Sequence, residues 1–174
     1  MRAEVRTAAR VVLGAVVLGA VGGIVWGLLA PPIQAIVVTA GRAAPVTGES
    51  DHEFDAVAIF ACVSAVVAVL TAVGAWRLAR PRGPVLYGGI LLGSVTGAAT
   101  MAVIGEGVAR LRHPHVQAPQ VDELIALAPG IGTAMVLIVA PMIASLAILV
   151  LAIFNPRDDL DAADERVHEA ELAR

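Results

Sequence analysis

The sequence predicts an all-α integral membrane protein: a four-transmembrane-helix bundle with a small extracytoplasmic loop cap. Three observations predict it. Four apolar runs are each long enough to cross a hydrocarbon core of about 30 Å at about 1.5 Å per residue. Charged residues are only 16% of the 174, against 58% hydrophobic, and they gather between the runs. Two of the runs carry glycine at every fourth position, the spacing that lets membrane helices approach closely.

The transmembrane domain is read as residues 1–154, with helices at about 8–30, 54–79, 85–108 and 131–154. The first run follows Arg2, Arg6 and Arg10 and ends at Pro31-Pro32, since proline lacks the amide hydrogen and its ring clashes with the preceding turn. A secretory signal has an apolar region of only about 7–15 residues and a small-x-small cleavage site. The run is therefore expected to be a retained helix. Gly19, Gly23 and Gly27 line one stripe of it, and Trp26 stands near its end.

The loop that follows holds Ile36-Val37-Val38-Thr39, a β-prone run, then Gly41-Arg42 as a turn and Ala43 to Thr47 as a returning arm. A short β-hairpin is the expectation, with Pro45 confining its second arm to an edge. Ser50 with Glu53 three residues on has the capping-box pattern and opens the second helix. That helix carries Ala61, Ala65, Ala68 and Ala72 and ends near Trp76, Arg77 and Arg80. After Arg80-Pro81-Arg82-Gly83-Pro84, the third helix repeats the glycine row at Gly89, Gly93 and Gly97. Contact within the chain is favoured for these rows, with the alanine row of the second helix as partner, over contact between copies. Leu124 to Ala128 is too short to span and reads as a helical turn at the membrane surface, ended by Pro129-Gly130. Pro141 falls near the middle of the fourth run, where it removes the bond to the Leu137 carbonyl and predicts a helix kink. Residues 155–174 form an acidic cytoplasmic tail with helical spacing of Leu160, Ala163, Val167 and Ala170.

Four crossings put both termini on one side. Nine arginines (2, 6, 10, 77, 80, 82, 157, 166 and 174) lie on that side and three (42, 110 and 112) on the other. The positive-inside rule places the nine in the cytoplasm of a bacterial cell, in its inner membrane. Trp26 and Phe54 then stand at the outer interface, with Trp76, Tyr87 and Phe154 near the inner one, as aromatic belts.

The chemistry-bearing residues are few. His52, His113 and His115 gather with Asp51 and Glu106 on the loop side and are the candidate metal or pH-sensing residues. The competing reading is that these acids cap helices and the loops are simply wet; Glu106 and Arg110, four apart, are placed to pair. The single Cys62 excludes an intrachain disulfide and reads as an apolar filler. Helix centres offer only Ser64, Thr71, Ser94, Thr96, Thr100 and Ser145, which typically bond their own helix, so a transport pathway has little support. No nucleophile–base motif, phosphate loop or metalloprotease helix is present. Neither catalysis nor a cofactor is expected, and the acidic tail speaks against nucleic acid. The expected partners are the lipid bilayer and a membrane protein or a second copy. A non-catalytic accessory or scaffold role in an envelope complex leads. The alternative is a small transporter or ligand- or pH-responsive protein using the acid–histidine group.

Trp26-Gly27-Leu28-Leu29-Ala30-Pro31-Pro32, Asp51-His52 before Phe54, Arg82-Gly83-Pro84, and Asn155-Pro156-Arg157-Asp158-Asp159-Leu160 together resemble small actinobacterial (mycobacterial-type) predicted membrane proteins of unknown function. The resemblance spans all four helices. It implies an inner-membrane location and four helices, and it implies no activity.

The orientation makes a direct prediction. A phosphatase reporter fused after Arg174, which is active only outside the cytoplasm, should be silent, and a fluorescent reporter at the same place should be bright. The reverse pair of signals overturns the topology.

Overall fold

A computed structural model describes residues 2–39, 42–45, 50–78, 83–114 and 123–154. The linkers between these stretches and the tail from 155 on, with their expected turns and acidic helix, lie outside the described residues. Helix α1 spans Arg2–Leu29, strand β1 Ile33–Thr39, β2 Arg42–Pro45, α2 Ser50–Leu78, α3 Pro84–Arg112, β3 Leu124–Leu127 and α4 Val139–Ile153, with a 3₁₀ segment Ala134–Ile138 leading into α4. Four helical stretches, the last including the 3₁₀ turn, are long and apolar enough to cross a membrane.

The helices exceed their expected lengths at several ends because charged residues continue the helical winding. Arg2 to Thr7 extend α1 and Ala109 to Arg112 extend α3. Ser50 to Glu53 form the first turn of α2 rather than preceding it; their side chains lie outside the described atoms, so the capping box is not described. Proline at the first position of α3 suits its start, since its missing N–H would be unbonded there in any case.

The two glycine rows lie on one seam between α1 and α3, offset along it so that they meet at Gly19 and Gly97. Helices α1 and α3 run parallel and make the most extensive contact in the bundle. A methyl on Gly19 would overlap the Gly97 carbonyl. One on Gly23 would lie 2.6 Å from the Met101 oxygen, and one on Gly27 2.6 Å from the Gly105 oxygen. From the other side, Gly89 abuts Ala8, Gly93 abuts Ala15 and Val12, and Gly97 abuts the Ala15 carbonyl. The expected partner, the alanine row of α2, packs elsewhere. Ala68 and Ala72 join Ala140, Ala144 and Ile148 of α4, with Leu86, Ile90 and Ala98 of α3. The correction has a simple cause: glycine accepts a neighbour's backbone, while alanine against alanine sets a wider spacing.

Trp26 is fully buried and does not belong to an interfacial belt. Its indole Nε1 donates to the Ala56 carbonyl at 2.8 Å, and its ring meets Phe60 edge-on with centroids 5.7 Å apart. Gly105 makes the room, since a methyl there would lie 2.5 Å from Trp26 Cε3. A tryptophan N–H inside an apolar medium needs an acceptor, and the helix α2 carbonyl supplies it. Around this ring Ala30, Ala56, Met101, Ala102, Ile131 and Val136 form a second cluster near the strands.

The fourth span is also revised. Ile131 to Thr133 are not helical, Gly132 sits at φ 62°, and Thr133 Oγ1 accepts from the Met135 N–H at 3.3 Å to start the 3₁₀ turn. Pro141 therefore lies in the first turn of α4 rather than mid-helix. The irregularity at this place is the change of winding just before it, where a missing N–H costs little.

Thr71, Ser94, Thr96, Thr100 and Ser145 donate to carbonyls three or four residues back. Ser64 departs from this pattern: it is fully buried and its hydroxyl has no described partner. Cys62 is exposed on the outside of α2 rather than filling the core.

Gly19→Ala should lower thermal stability in detergent by about 1–3 kcal/mol, the usual cost of overpacking, and Gly93→Leu should do so as well. Gly107→Ala should be neutral, because open space surrounds Gly107. Equal melting temperatures for Gly19→Ala and Gly107→Ala would contradict the packing.

Candidate functional site

The end of the bundle where α1 and α3 finish carries the loops, and their strands combine. The sheet order is β2-β1-β3, antiparallel throughout. The expected hairpin is present, with Ala35 opposite Pro45, Ile36 opposite Ala44 and Val37 opposite Ala43, and Pro45 does lie on an edge strand. The third strand corrects the reading of Leu124 to Leu127 as a helical turn. Ile33 pairs with Leu127, Gln34 with Ala126, Ala35 with Ile125 and Ile36 with Leu124, and the Val37 N–H reaches the Glu123 carbonyl at 3.1 Å. Alanine and leucine favour helix locally; pairing with a strand some ninety residues away overrides them.

One face of this sheet is covered and the other open. Ala35 and Val37 are buried on β1, whereas Gln34 and Val38 are exposed, the period-two pattern of a half-buried strand. Leu124, opposite Ile36, is 61% exposed and Val38 49%. Ile36, Val38 and Leu124 thus form an apolar strip on the open face.

Below the sheet, the end of α1 is closed by an unexpected contact. Pro31 and Pro32 cannot supply the N–H groups that Gly27 and Leu28 carbonyls would accept. Arg112, in the last turn of α3, donates to the Leu28 carbonyl instead, and its charge suits the negative end of the α1 dipole. The basic residue just past an expected helix end was the available sign in the sequence; its target was not.

The acid–histidine group is not assembled by the described residues. Glu106 is paired with Arg110 at 2.8 Å, so its carboxylate is already engaged. His113 follows the end of α3, its backbone N–H bonded to the Ala109 carbonyl at 2.9 Å. Asp51 and His52 lie in the first turn of α2, but their side chains, like all of His115, are outside the described atoms. Among the described residues no three of His, Cys, Asp and Glu come together as a metal could require.

Residues 15–162 match the model of the family described as a protein of unknown function, DUF2567. The chain belongs to this family. It is 35% identical over 172 residues to the uncharacterized protein ML1222 of Mycobacterium leprae, covering 86% of this chain and 85% of that one. It is 32% identical over 105 residues to the uncharacterized proteins Mb1617 of Mycobacterium bovis and Rv1591 of Mycobacterium tuberculosis, over 58% of this chain and 54% of each of those. The mycobacterial resemblance of the boundary motifs is therefore confirmed. No solved structure matches the chain.

Val37→Pro removes an N–H from the central strand, where proline is not accommodated. It should expose the loops to trypsin at Arg42 and Arg112 several-fold faster while far-UV circular dichroism retains the helical signal. Unaltered cleavage would show that the strands do not hold the loops.

Proposed function

We propose that the protein is a non-catalytic accessory of the bacterial inner membrane, with both termini cytoplasmic, and that its cap docks a protein of the envelope. The observation that carries this reading is the open apolar strip of Ile36, Val38 and Leu124 on a sheet built from both loops. Exposed apolar side chains on the water-facing side of a small cap favour association, and the outer strand β3 has an edge that another strand could extend. The arginine distribution supports the orientation. The helix centres carry no Asp, Glu, His, Lys or Arg, which speaks against an ion or proton pathway. Glu106 is already engaged by Arg110, and among the described residues no three of His, Cys, Asp and Glu come together.

A docking role makes the strip dispensable for folding and necessary for association. The doubly substituted protein Val38→Glu, Leu124→Glu should keep the wild-type melting temperature in detergent. Purified from native membranes under mild detergent, the wild type should bring down a partner in fixed stoichiometry and the variant should lose it by at least tenfold. A partner retained by the variant, or a wild type that purifies alone, would remove the proposal.

A further inference from the structure

At the end opposite the sheet, α1 and α2 part. Trp26, Ala56 and Phe60 hold the two helices together near the strands, but toward Thr7 and Leu78 a groove of about 430 Å³ opens between them. Its volume is within the roughly 300–1,000 Å³ range of small-molecule sites. Gly14 and Gly74 line it, and a methyl on either would meet nothing within 4 Å. Leu18 and Leu70 wall it toward the bundle centre. Thr71 also borders it, but its hydroxyl is turned to the Val67 carbonyl of its own helix. Arg10 lies at the terminal end, exposed and without an acid partner among the described residues. The corresponding space between α3 and α4 is filled, by Leu86, Ile90 and Ile148.

We propose that this groove binds one anionic phospholipid, with an acyl chain along Gly14 and Gly74 and the phosphate at Arg10. Inside a bilayer an acyl chain gains no hydrophobic free energy by moving from neighbouring chains into an apolar groove. Shape and headgroup charge must therefore supply the selection. Two glycines leave a channel that a large side chain would fill. Arginine offers a planar fork of donors to phosphate, and its stem can run along the apolar wall while the guanidinium reaches the headgroup layer. Arg6 and Arg77, both exposed at this end, add to the positive field that draws an anionic headgroup. The assignment to the cytoplasmic leaflet rests on the orientation proposed above. The site does not, because binding is measured in detergent.

The test uses the full chain in mild detergent, with native mass spectrometry and thermal shift, adding phosphatidylglycerol or phosphatidylcholine of identical chains. The wild type should retain one lipid and favour phosphatidylglycerol. Gly74→Leu and, independently, Gly14→Leu, at positions where an added Cβ meets nothing, fill the groove and should abolish retention, while Gly88→Leu, set in open space away from it, should keep it. Arg10→Gln should still hold lipid but lose about fivefold in preference for the anionic headgroup. Retention by both groove variants at the Gly88→Leu level, an unchanged preference in Arg10→Gln, or a dimer that forms through the groove and excludes lipid would each overturn the proposal.

Discussion

The contact of α1 with α3, backbone against backbone, is the constraint on which the rest depends. In lipid, helices cannot be driven together by burying apolar surface, because lipid tails are as apolar as leucine. What remains is close packing. Two rows of glycine bring carbonyls and Cα atoms to distances no side chain allows, with Gly19 on Gly97, Gly23 on Met101 and Gly105, and Gly27 on Gly105. The same pair carries the cap. Strand β1 follows α1 and β3 follows α3, so the sheet hydrogen bonds close across helices already held side by side. Arg112 ties the two ends once more through the Leu28 carbonyl.

The second pair works at a coarser spacing. Helices α2 and α4 meet through Ala68, Ala72, Ala140 and Ala144, where methyl groups replace bare backbone. Trp26 joins the pairs near the sheet. It fits because Gly105 leaves it space, and it stays because Ala56 accepts its N–H. The terminal end of α1 and α2 has no such wedge and stands apart there. A bundle assembled from small residues thus has its tightest contacts where glycine faces backbone, and a groove beside Gly14 and Gly74, where a methyl would meet nothing.

The helices were legible because a span is a local property, a count of apolar residues with charges at its ends. The glycine rows were legible for the same reason, but which surface they met was not. A four-residue spacing marks a flat stripe and carries no record of its partner. Leu124 to Leu127 misled for the opposite reason. Its residues prefer helix, and strand pairing with Ile33 to Ile36 decides their conformation; nothing within four residues could announce that. Trp26 was misplaced because depth and burial are independent: a tryptophan near a helix end can face lipid or a neighbour, and Gly105, seventy-nine positions later, decides. Of the candidate site, the Glu106–Arg110 pair was visible as an (i, i+4) spacing. The apolar strip was not, since Ile36, Val38 and Leu124 become neighbours only through the sheet.

The order of elements carries a further regularity. Helix α1, strand β1 and helix α2 are followed by helix α3, strand β3 and helix α4, so among the described residues the second half repeats the plan of the first without β2. The halves meet at their equivalent helices, α1 with α3 and α2 with α4, and at their equivalent strands, which pair antiparallel. Parallel helices together with antiparallel strands are the arrangement that a two-fold axis along the bundle requires, and parallel repeats about such an axis are a known plan in membrane bundles. The glycine rows then have a reason to occur twice: each half presents the same small-residue stripe, and the two stripes are each other's surface. Departures from the repeat are where the halves acquire separate duties. Strand β2 pairs with β1 at one edge of the cap, and Gly14 with Gly74 leaves a groove in the first half, while Leu86, Ile90 and Ile148 pack in the second.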